Sequence, residues 1–92
     1  MLINEIPKEP AVRREWIKYQ LRLKGYSLRG LGREYGYSGD NAIAALKRPY
    51  PKWERIIAEK LGLLPHELWS ERYDPDGRPN RHSYLYPRKS QR

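Results

Sequence analysis

The side chains best suited to chemistry fall in one stretch, SLRGLGREYGYSGDNAIAAL at 27–46, with Lys47 and Arg48 directly after it. Asn41 carries an amide that can pair with the N6 and N7 edge of an adenine, and Asp40 a carboxylate that can accept from a cytosine N4. Ile43 and Ala44 can touch a thymine methyl, while Ser38 and Lys47 place a hydroxyl and an ammonium beside the same edges. Ser27, Arg29, Arg33 and Arg48 suit phosphate oxygens, which position a duplex without reading its sequence. The two groups together describe a grip on double-stranded DNA: six residues on base edges and four on the backbone. Asp40 has a second use, since an acid at a helix start is favoured by the helix dipole.

Charge supports this direction. The 92 residues carry a net charge of +8, and residues 11–48 hold nine basic against three acidic groups. Residues 49–73 are balanced, with four of each, and residues 74–92 add five basic against two acidic. A basic excess on one half and on the tail is the footprint of a phosphate-facing surface.

Other chemistries find little in the chain. There is no cysteine, so no disulfide or thiolate metal site can form. His66 and His82 are far apart and lack a metal-ligand spacing. No nucleophile elbow, phosphate-binding loop or paired-carboxylate arrangement is present. Glu67 and Glu71 sit four apart, but they read as a solvated face. No enzyme, cofactor, metal or small-molecule ligand is therefore expected. No apolar run reaches the roughly 20 residues that cross a bilayer, and MLINEIPKEP is not a signal peptide. The expectation is a soluble, cytoplasmic protein with no membrane partner.

Five short helices must position the contact residues, which makes the fold class all-α. Pro10 suits a first turn, and Val12, Trp16, Ile17 and Leu21 recur at helical spacing up to a stop at Gly25. This first helix covers about 10–24, with Arg13, Arg14, Lys18 and Arg22 mostly on its other faces. Ser27 can cap a second helix, with Leu28, Leu31 and Tyr35 as its apolar stripe and Gly36 at its end. Ser38 can cap a third that runs to about Lys47, where Pro49 and Pro51 forbid continuation. Pro51 starts a fourth, with Trp53, Ile56, Ile57 and Leu61 on one face. Gly62 ends it, and Pro65 opens a short fifth through Trp69.

The second and third helices form a helix-turn-helix. Such a pair needs a small residue where the helices cross, met by Gly32, and a turn residue that tolerates positive φ, met by Gly36. At about 100° per residue, placing Ala42, Ala45 and Leu46 inward turns Asp40, Ala44 and Lys47 outward, with Asn41 and Ile43 flanking them. The expected scaffold is Trp16, Ile17, Leu21, Leu31, Tyr35, Leu46, Ile56, Ile57, Leu61 and Trp69. The expected organisation is a flexible lead-in over 1–9, a DNA-binding domain over 10–73 and a basic extended tail over 74–92.

Two segments carry a resemblance. SLRGLGREYGY at 27–37, with AALKRPYPKWERIIAEKLGLLPHELWSERY at 44–73, resembles the Ner-like family of phage and bacterial DNA-binding regulators. The resemblance spans about Trp16–Tyr73. It implies a five-helix, lambda-repressor-like domain, operator binding with repression as the usual outcome, and two protomers on palindromic or repeated half-sites. It maps recognition onto Ser38–Lys47 and backbone contact onto Ser27, Arg29 and Arg33. The chain departs from that family pattern at Gly39, Asp40, Ala42, Ile43 and Trp53. An acid at position 40 would weaken docking unless it reads a cytosine. That feature favours an alternative: a protein-interaction module on the same scaffold, acting through Tyr50, Trp53 or the SYLY segment at 83–86.

Overall fold

The computed structural model describes residues 5–79. Among the described residues five helices follow one another: α1 Pro10–Leu23, α2 Leu28–Glu34, α3 Asp40–Lys47, α4 Pro51–Lys60 and α5 Pro65–Leu68, with a 3-10 turn at Ser70–Arg72. Among the described residues no strand forms beyond one antiparallel bridge, Tyr73 to Pro79. The all-helical architecture is the one that the apolar spacing and the Pro and Gly punctuation dictate.

Local chemistry sets the helix ends. Pro10 opens α1, and the Glu9 carboxylate accepts the Val12 N–H at 2.8 Å. Ser27 Oγ accepts the Gly30 N–H at 3.0 Å and caps α2 as its position suggests. At the other end of α2, Gly36 takes φ +82°, which lets the Tyr37 N–H reach back to the Gly32 carbonyl at 2.8 Å. A side chain at position 36 would strain that turn.

The core joins Ile17 and Leu21 of α1, Leu31 of α2, Ala42, Ala45 and Leu46 of α3, and Trp53, Ile57 and Ala58 of α4, closed by Leu61, Leu68 and Trp69. Trp53 and Trp69 are almost fully buried. An aromatic side chain hides about 150–250 Å², on the order of 4–6 kcal/mol of gross apolar gain at roughly 25 cal/mol per Å². The Trp53 indole N–H is buried without an acceptor among the described residues, a cost of about 1–3 kcal/mol that this gain exceeds. Tyr35 and Tyr37 meet the Trp53 ring edge-on, at centroid distances of 5.8 and 5.7 Å.

Several expectations need correction. Val12 is 55% exposed and leaves the core, while its neighbour Arg13 is buried and paired with Glu71. The inward arc of α1 is therefore centred about one residue away from the Val12 face. Tyr35 is an exposed edge of the scaffold, and Trp16 and Ile56 only pack against its rim. α3 begins at Asp40, and Gly39 is its N-cap residue with no side-chain cap, so Ser38 stands outside the helix. Ile6, inside the expected lead-in, is buried. Residues 74–79, inside the expected extended tail, fold back in a tight turn: the Asp74 N–H donates to the Arg78 carbonyl at 2.7 Å and the Gly77 N–H to the Asp74 carbonyl at 2.8 Å.

Behind α3 lies a polar cluster that the sequence reading left out. Glu54 is fully buried and Arg72 nearly so. Arg72 Nη1 is 2.8 Å from Glu54 Oε2. Glu54 also accepts the Tyr50 N–H at 2.7 Å and the Tyr73 hydroxyl at 2.6 Å. Buried ions persist only when so satisfied.

Candidate nucleic-acid interface

The interface starts from two glycines that let α2 and the start of α3 touch through backbone. A Cβ built on Gly32 would lie 2.5 Å from the Ser38 carbonyl oxygen and 3.0 Å from the Gly39 Cα. A Cβ built on Gly39 would lie 2.9 Å from Arg29 Cβ and 3.0 Å from Arg29 Cα. Gly32 is the small crossing residue that the motif requires. Gly39 is the reciprocal half of the same approach, so its place at the helix start is a packing requirement.

This crossing fixes the roll of α3. Ala42, Ala45 and Leu46 are buried. Asp40 and Lys47 are exposed, and Asn41, Ile43 and Ala44 are half-buried. Ile43 rests against the core while also lining a groove, so it is less outward than Ala44 and Lys47. Ser38 is exposed in the turn that leads into the helix. Arg48 is exposed at the C-cap of α3, where with Lys47 it also complements the negative end of the helix dipole.

Beside α3 runs a groove of about 450 Å³ where α1, α2 and α3 meet. Lys18 and Arg22 of α1, Ser27 at the cap of α2, Arg29 and Arg33 of α2, and Ile43 form its walls. Four cationic side chains thus line one trough on the Ile43 flank of α3, together with Leu21, Tyr26 and Leu28. The α1 contribution was missed by sequence reasoning: Lys18 and Arg22 read as surface groups on other faces. Their i, i+4 spacing on either side of Leu21 was the available signal.

Asp40 has a partner. Its Oδ1 lies 3.1 Å from Arg29 Nη1, and both side chains are well exposed. The acid that would weaken docking is matched by a cation of the preceding helix. Such exposed pairs contribute about 0–1 kcal/mol, so the link orients Arg29 more than it stabilises the fold.

The surface offered for a protein-interaction reading is reduced. Trp53 is fully buried and Tyr50 half-buried against the core, while SYLY lies outside the described residues, as does His82. His66 is exposed in α5. Among the described residues no three His, Cys, Asp or Glu side chains converge for a metal ion, and no helix is long and apolar enough to cross a membrane.

Comparison with known proteins places this arrangement. A family profile described as winged helix-turn-helix DNA-binding matches residues 12–84. The chain is 40% identical over 65 residues to a negative regulator of transcription of Escherichia phage D108, covering 66% of this chain and 89% of that protein. It is 34% identical over 77 residues to the Mu-like prophage FluMu DNA-binding protein Ner of Haemophilus influenzae, covering 79% and 85%. It is 41% identical over 65 residues to sugar fermentation stimulation protein B of Escherichia coli, covering 71% and 67%.

Proposed function

Because the chain belongs to the Ner-like, winged helix-turn-helix DNA-binding family, we propose that it regulates transcription negatively, by seating α3 in the major groove of an operator duplex. The observation that carries the reading is the groove lined by Lys18, Arg22, Arg29 and Arg33 on the Ile43 flank of α3. In this reading Ser27, Arg29, Arg33 and Arg48 hold phosphates, joined by Lys18 and Arg22. Ser38, Asn41, Ile43, Ala44 and Lys47 face base edges, with Asn41 the residue best fitted to an adenine. Asp40 acts first on Arg29 and only through it on the backbone.

The eight residues of α3 rise about 12 Å along its axis. At about 3.4 Å per base step that is about three to four base pairs, too few to single out one operator. Two protomers on half-sites about one helical turn apart, roughly 34 Å, supply the missing information. Their dyad is part of the proposal.

Fluorescence anisotropy of labelled duplex over a salt series tests the core of it. With five or six phosphates engaged, log affinity falls against log salt with a slope near −5, about −0.9 per contact. Salt-insensitive or absent binding would remove the reading. A selection from a random duplex pool then yields the operator, the half-site spacing and the number of chains bound.

Two variants refine the assignment. Arg33→Ala is expected to weaken binding to every duplex alike and to flatten the salt slope by about one unit; a loss confined to one sequence would contradict the backbone role. Asp40→Ala removes the carboxylate that competes with phosphate for Arg29, so binding to random duplex should tighten. If instead preference at a single base pair vanishes, by about 1–3 kcal/mol, Asp40 reads a base directly.

A further inference from the structure

The reading helix is short and weakly capped by its own residues. It has eight residues and no side-chain cap at its start, and isolated helices of this length are marginal in water. Its last carbonyls lack partners within the helix. The Ala44 carbonyl takes the Arg48 N–H at 3.1 Å. The Ala45 carbonyl is met from far along the chain: Arg72 Nη1 donates to it at 2.7 Å in a buried site.

Arg72 is itself held on two further sides. The same Nη1 lies 2.8 Å from Glu54 Oε2, and the guanidinium sits 5.1 Å from the centre of the Trp69 ring. Glu54 in turn receives the Tyr50 N–H where α4 begins and the hydroxyl of Tyr73 at the start of the closing turn. Arg72 therefore ties the C-terminal half of α3 to α4 and to the segment after α5. Ala45 directly follows Ala44, one of the residues offered to base edges.

We propose that Arg72 is a positioning residue for base readout. It caps α3 from behind through the Ala45 carbonyl and sets how the helix lies in the groove, so it contributes to operator preference without touching DNA. The inference rests on the operator-binding reading. A purely structural role would make a different forecast: replacing a buried ion pair by neutral groups is often harmless to stability, and specificity would then survive with the fold.

The test uses the full chain carrying E54Q and R72M together. No buried charge is left unpaired in this variant. The amide introduced at position 54 can still accept the Tyr50 N–H and donate to the Tyr73 oxygen, while the Ala45 carbonyl loses its guanidinium. Three readouts are taken: the melting temperature, affinity for random duplex over a salt series, and the ratio of operator to random affinity. The random-duplex salt slope is expected to stay close to wild type, because no cation of the groove has changed, and melting to fall only by the loss of one buried hydrogen bond, with the chain still folded. The operator ratio is expected to fall at least about tenfold, the size of one lost base-pair preference. A folded double variant with the wild-type ratio overturns the proposal.

If the double variant does not fold, Arg72→Lys decides. Its ammonium is a point charge that ends short of the Nη1 position from which both acceptors are met, so reaching both requires α3 to shift against α4. Folded R72K is expected to lose operator ratio while keeping the salt slope, and a full ratio there overturns the proposal equally. Wild-type protein that prefers no duplex would instead remove the operator-binding reading itself, an outcome separate from either variant result.

Discussion

Gly32→Leu is expected to abolish cooperative folding. Glycine inside an exposed helix normally costs about 1 kcal/mol against alanine, so a larger side chain there would ordinarily help. At position 32 the sign reverses. The first added carbon would already lie 2.5 Å from the Ser38 carbonyl oxygen, and the obstacle is backbone that cannot swing aside. Leucine would have to drive α2 away from α3. That opens the contact that buries Leu31, Ala42 and Ala45. Overpacking alone costs about 1–3 kcal/mol and more where the backbone must move. A chain of this length has about 5–14 kcal/mol in total at roughly 0.05–0.15 per residue, and the lost burial adds to the clash. Circular dichroism during thermal denaturation is the check: a variant that melts as wild type does would show that the helix pairing is wrong. Gly32→Ala should show the same sign at smaller size.

Glu54→Ala is expected to be the next most damaging change, costing about 3–5 kcal/mol. It would leave Arg72 buried without its carboxylate and deprive the Tyr50 N–H and the Tyr73 hydroxyl of an acceptor. At about 4–8 °C per kcal/mol for a domain of this size, the melting point should drop by about 12 °C or more. In urea the midpoint should fall while the slope of the transition stays near wild type, since the surface exposed on unfolding barely changes. A wild-type midpoint would mean that the cluster contributes nothing and that Arg72 is satisfied by other means. Glu54→Gln should sit between the two, because an amide keeps the neutral hydrogen bonds and loses only the charge.

The order and limits of the helices were legible because they rest on local signals. Pro10, Pro51 and Pro65 open three helices, and Gly36 closes α2 through a turn that the sequence marks plainly. Gly32 was legible for the same reason: the crossing of two consecutive helices demands a small residue at that offset. Gly39 was not, because the atoms that forbid a side chain there belong to Arg29, on the preceding helix. Spacing alone also misplaced the inward arc of α1. Val12 and Arg13 differ by one step of about 100°, and what turned Arg13 inward is Glu71, 58 residues away. The charges of residues 49–73 balance in number, which does not show which of them pair. Glu54 and Arg72, two of those groups, are buried against each other. Outward residues of α3 could be named from periodicity, yet the cations on its Ile43 flank come from α1 as well as α2, a juxtaposition that no periodicity records.

The crossing of α2 and α3 rests on Gly32 against the Ser38 and Gly39 main chain, and on Gly39 against Arg29. That close approach involves none of Asn41, Ala44 or Lys47. On the proposed reading, substitutions at those positions change which sequence is recognised while the mount beneath stays untouched. Descendants of one ancestor can thus diverge toward separate targets, one short helix at a time, without first rebuilding the body that carries it.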